Sequence, residues 1–63
     1  MRHLTSDELW KIRTEEDLLK GNINRMCVTE DLSELDDMFN RAVNRLKTIY
    51  DLNYKRISEE YIR

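Results

Sequence analysis

The chain has 63 residues, a formal net charge of −2, and charged residues at 38% of its length. It holds one Gly and no Pro. Sheets need tight turns and tight turns need those residues, so an all-β or doubly wound α/β fold is excluded in favour of an all-α one. Hydrophobic residues at 40% and a near-neutral balance argue against intrinsic disorder.

Along the chain, Thr5-Ser6-Asp7-Glu8 reads as a capping box, with Thr5 as N-cap and Glu8 three residues on. Leu4 and Leu9 take the staple positions on either side of it. The first helix is predicted over about 5–27. Leu9, Ile12, Leu19, Ile23 and Met26 repeat at three- and four-residue steps, with Glu16 filling the one gap. The stripe keeps its phase past Gly21, so the helix is read as continuous through it. Glu16 is expected to reach solvent, because a buried lone carboxylate is costly.

Cys27-Val28-Thr29 is the predicted connection, with Thr29 as N-cap of the second helix and Glu30 and Asp31 as first-turn acids. Cys27 is expected as a small buried residue near the turn. The second helix is predicted over about 30–61, with no Pro or Gly to interrupt it. A short connection makes the two helices antiparallel neighbours, giving a single helical-hairpin domain over residues 1–63. With the turn near residues 28–29, Met26 faces Leu32, Ile23 faces Leu35, Leu19 faces Phe39, Ile12 faces Leu46 and Leu9 faces Ile49 or Tyr50. Glu16 then meets Ala42. These residues form the predicted hairpin core.

The apolar stripe of the second helix is wider than one neighbour can cover. Met38, Val43, Tyr50, Ile57 and Tyr61 lie along its edges or beyond the reach of helix 1, and Trp10 and Leu18 stand off the main stripe of helix 1. A chain this short rarely builds a sufficient core alone, and one cysteine and one histidine supply neither a disulfide nor a structural zinc site. The expected solution is a homodimer of two hairpins forming a four-helix bundle, with those residues as its interface. Asn53 falls in the same seam, either as a register-setting polar residue or as the point where the seam ends in solvent. In this reading Phe39→Asp abolishes folding, whereas Ile57→Asp mainly weakens dimerisation.

Sites of chemistry are not evident. There is no phosphate-binding glycine loop, no metalloprotease or thiol-redox spacing, and the lone histidine, His3, precedes the helices. No catalytic residue, cofactor or metal is expected. Residues 29–40 carry five acids and no base, and residues 41–63 carry six bases and three acids, a distribution that complements the dipole of one long helix. Arg41, Arg45 and Arg56 are the candidate polyanion contact, read as sharing one flank of helix 2. Paired hairpins of this kind resemble, in architecture alone, plasmid copy-number proteins of the Rop type, which bind RNA on one face. With no export signal, no apolar run long enough to span a bilayer and one unpaired cysteine, a cytoplasmic setting without membrane contact is expected. The expected function is a small non-enzymatic protein–protein interaction or assembly module. The competing reading is a nucleic-acid-linked regulator, either an RNA or DNA binder through that arginine flank or an acidic mimic through residues 30–37.

Overall fold

The computed structural model describes residues 3–61, with side chains described for residues 3–58. Two helices make up the fold: α1, Ser6–Val28, and α2, Leu32–Tyr61. They pack against each other as an antiparallel hairpin 50 × 20 × 13 Å in extent. A 13 Å slab is barely thicker than one helix with its side chains, so this hairpin has no enclosed interior. Among the described residues only Ala42 is buried, at 8% exposure.

The N-terminal signature of α1 is realised in full. The Thr5 N–H donates to Glu8 Oε1 (3.0 Å) and the Glu8 N–H donates to Thr5 Oγ1 (3.2 Å). The Leu9 N–H reaches the Thr5 carbonyl at 2.9 Å. Two orphan donors are satisfied by one pair of side chains, which fixes where the helix begins. Gly21 lies inside α1 without a positive φ, and a Cβ built on it meets nothing within 4 Å. The helix therefore runs through it as expected.

The connection differs from the sequence reading. Thr29 does not open α2. Its N–H donates to the Arg25 carbonyl (3.0 Å), so it closes α1, and its hydroxyl accepts from the Asp31 N–H (3.2 Å). Asp31 is the cap of α2: its carboxylate accepts from the Ser33 N–H (3.0 Å) and its carbonyl from the Leu35 N–H (2.9 Å). The chain thus turns about Glu30 rather than residues 28–29. That change slides the two helices by about two residues relative to the register predicted from apolar matching. Cys27, expected as buried, is exposed.

The slide changes which rows meet. On α1 the half-buried positions are Thr14 and a row of Glu8, Ile12, Glu15, Leu19, Asn22 and Met26, the row spaced alternately by four and three. On α2 they include Leu35, Met38, Arg45, Ile49, Leu52 and Arg56, with buried Ala42 at the centre. Alternating three- and four-residue steps are the mark of two helices packed along a heptad seam. Ala42 supplies the small side chain that lets the backbones approach there.

Candidate interaction surface

The seam carries polar groups that the sequence reading did not place there. Arg45 Nε donates to Asn22 Oδ1 (3.0 Å) and Arg45 Nη1 to Glu15 Oε2 (3.2 Å). The Glu15 side chain is only 16% exposed and that of Arg45 24%. Asn22 also points its amide at the Met38 sulfur (3.5 Å). The network spans the two helices at mid-length and ties their register. Near the turn, the Arg25 guanidinium grips the Glu34 carboxylate, with Nε on Oε1 and Nη2 on Oε2 at 3.3 Å. Hydrogen bonding from Arg25 holds the Glu34 carboxyl below its ordinary value, and the same bond raises Arg25 above its own.

The residues displaced from the seam are the large apolar ones. Of the predicted hairpin core, Ile12, Leu19, Met26, Leu35, Ala42 and Ile49 stay between the helices. Leu9, Ile23, Leu32, Phe39 and Leu46 do not: the single chain leaves Phe39 57%, Leu46 58% and Leu32 77% exposed. Their removal from the intrachain contact follows from the two-residue slide. Each helix turns about 100° per residue, so the row that meets the neighbour becomes the one next to that predicted.

These outward residues converge on one face. On α1, Leu9, Glu16 and Ile23 each sit one residue after the packed row Glu8, Glu15, Asn22. On α2, Val43, Tyr50 and Ile57 sit one residue after Ala42, Ile49 and Arg56, and Phe39 and Leu46 one after Met38 and Arg45. The helices are antiparallel and of one hand, so the same one-residue advance swings both rows to the same side of the hairpin. The Tyr50 ring stacks on Tyr54 along the edge, centroids 5.9 Å apart and 26° between planes. The opposite side presents Lys11, Arg25, Glu34, Arg41, Thr48 and Lys55, with Leu18 as an isolated apolar residue. The hairpin is therefore two-faced: one side carries the apolar row of α2 with Leu9 and Ile23 beside Arg13, Glu16 and Lys20 of α1, and the other side is mostly polar and charged.

The remaining predicted site residues fall as follows. Val43, Tyr50 and Ile57 lie on the outward apolar row. Met38 belongs to the intrachain seam and Leu18 to the polar side. Trp10 is 73% exposed and projects away from α2, off both faces. Asn53 is half-buried, its amide donating to the Ile49 carbonyl (2.9 Å) and accepting from Arg56 Nη2 (2.9 Å). The side chain of Tyr61 lies outside the described residues. Glu16 is solvated, as expected, and pairs with Lys20 at 3.4 Å.

The arginine flank does not form a single outward strip. Arg41 is held by Asp37 (3.0 Å), Arg45 lies in the seam on Glu15 and Asn22, and Arg56 is turned to Asn53. The predicted acidic stretch is likewise partly engaged, with Asp31 capping, Glu34 on Arg25 and Asp37 on Arg41. Glu15, Arg41, Asn44, Arg45 and Thr48 line a shallow open depression of about 280 Å³ on the polar side. Among the described residues no His, Cys, Asp or Glu cluster has the arrangement of a metal site, and no helix is long and apolar enough to cross a membrane. Compared with protein-family models, with curated proteins and with solved structures, the chain finds no match in any of the three.

Proposed function

We propose that this chain is a small, non-enzymatic interaction and assembly module whose working surface is the apolar face, and that two hairpins join through it into a four-helix bundle. The observation that carries the proposal is the outward row Phe39, Val43, Leu46, Tyr50 and Ile57, continuous along α2 and joined by Leu9 and Ile23 of α1. A contiguous apolar patch of this kind, rimmed by charge, marks an association surface on a small protein. With its large apolar row on one side, the hairpin closes as a pair through a twofold contact of that row with itself. The lone thiol Cys27, exposed and unpaired, suits a reducing compartment such as the cytoplasm.

The nucleic-acid reading is the weaker one, because Arg41, Arg45 and Arg56 each hydrogen-bond a group of their own chain. Sedimentation equilibrium from low micromolar to several hundred micromolar, repeated at low salt with an RNA or DNA duplex, tests both readings. The expected result is a concentration-dependent dimer indifferent to the duplex. A compact monomer that melts cooperatively at the highest concentration overturns the assembly reading, and salt-dependent duplex binding replaces it with the regulator.

A further inference from the structure

Resting on that assembly reading, we infer that the partner is a second copy bound through α2 against α2 in antiparallel orientation and in one register. Val43 of one copy meets Leu46 of the other, Phe39 meets Tyr50, and Leu32 meets Ile57. A single polar layer matches Asp36 with Asn53.

The outward rows of α2 define the geometry. Residues 36, 43, 50 and 57 and residues 32, 39, 46 and 53 form a second heptad seam, turned one residue from the seam that holds α1. In an antiparallel heptad pair, the two rows face each other across the axis. Charge selects the direction. Asp36 is the one charged residue of the two outward rows: a parallel in-register pair sets it on the Asp36 of the other copy, and the antiparallel pair sets it on Asn53.

The polar layer selects the register. With the twofold axis between residues 44 and 45, Asp36 reaches an Asn53 whose amide oxygen already accepts from Arg56, so positive charge stands where the carboxylate arrives. A slip of one heptad one way sets Asp36 on Leu46, a carboxylate buried without a partner. A slip the other way sets it on the acidic position 60. Both neighbouring registers are thereby disfavoured. With α2 making up about half of a 50 × 20 Å side, its strip offers on the order of 500 Å² in projection, so Leu9 and Ile23 of α1 must be covered too to approach the about 800 Å² per partner of a standard stable interface.

The test uses the full chain with Cys27→Ser as background. Leu32→Cys and Ile57→Cys proteins are equilibrated in a glutathione buffer, separately and as an equimolar mixture, and covalent dimers are measured on non-reducing gels. In the antiparallel register, identical positions 32 lie roughly 38 Å apart along the axis, far beyond the ~7 Å Cα separation a disulfide spans. The mixture is therefore expected to give at least tenfold more covalent dimer than either protein alone. Spin labels on Lys55→Cys, outside the apolar face, read the same geometry without touching the layers. The expected separation is about 30 Å or more, against less than about 20 Å for a parallel pair. Cross-links within each single variant, or the short label distance, overturn the orientation but leave the assembly standing. So does a background protein that sediments as a dimer yet gives no cross-link in the mixture. A background protein monomeric at several hundred micromolar overturns both.

Discussion

Phe39→Asp separates the fold of the single chain from its assembly. Apolar matching of the two helices sets Phe39 against Leu19 and makes the substitution fatal to folding. In the structure, Phe39 lies on the outward face and is 57% exposed, so the hairpin seam does not depend on it. A phenylalanine presents about 200 Å² of side chain. Covering the exposed share removes a little over 100 Å² from water, or roughly 3 kcal/mol per copy at 25 cal/mol per Å². Two copies lose roughly 6 kcal/mol, equivalent to about four decades in dissociation constant, before the cost of confining the new carboxylate is added. The expected outcome is a protein monomeric at concentrations where wild type is dimeric. Its melting temperature no longer rises with protein concentration, as that of a dimer must. Sedimentation equilibrium and circular dichroism over a hundredfold concentration range measure both. Ala42→Asp is the contrast: it strikes the intrachain seam and is expected to remove helicity at every concentration. A Phe39→Asp dissociation constant within tenfold of wild type refutes the assignment of the outward face.

Gly21→Ala, in open space inside α1, is expected to raise stability by about 0.5–1 kcal/mol, seen as a higher melting temperature at fixed protein concentration; a lower one means the helix uses the glycine's freedom. The Glu34 carboxyl is held below its unfolded value by Arg25, so its contribution is present above about pH 4.3 and lost as pH falls through the depressed folded value. Glu34→Gln should flatten that part of the stability–pH curve, and an unchanged acid limb counts against the pair. Arg45→Met strands the half-buried Glu15 and is expected to cost about 1–3 kcal/mol in urea denaturation, discounted from a fully buried pair for the solvent that remains; Glu15→Leu with Arg45→Met recovers most of it. A double variant as unstable as the single one shows that the pair itself is a net stabiliser.

What is legible in this sequence follows the range of the interaction that decides it. The start of α1 is written in four consecutive residues, and its capping box is found where Thr5 and Glu8 place it. The start of α2 is harder, because Thr29 and Asp31 are both capping types. The choice between them depends on the Thr29 N–H, which is already committed to the Arg25 carbonyl. A two-residue change in that local choice moves every facing pair along the hairpin. The apolar residues of α2 fill two rows only about 100° apart, and a 3.6-residue periodicity blends them into one wide stripe. The width of that stripe was readable, and so was the conclusion that one neighbour cannot cover it. Which row meets α1 was not, because Glu15, Asn22 and Arg45 read as surface residues until they are seen bonded across the seam.

The placement of these polar groups bears on why the large apolar row faces outward. Bringing Phe39 and Leu46 inward requires a shorter turn and sets the Glu16 carboxylate against Ala42 at the centre of the contact. It also turns the Arg45 row away from Glu15. The observed register keeps the small residue at the closest approach and uses directional bonds to select one alignment of two short helices, a task at which apolar contacts are poor because they slide. In the proposed assembly the apolar area serves the contact between copies, where a large non-directional contribution is needed to offset the loss of free motion on association. On that proposal, specificity within the chain and affinity between chains rest on different rows of α2. Substitutions in the row containing Ala42 and Arg45 should change how each hairpin is aligned. Substitutions in the row containing Phe39 and Leu46 should change only whether two hairpins meet.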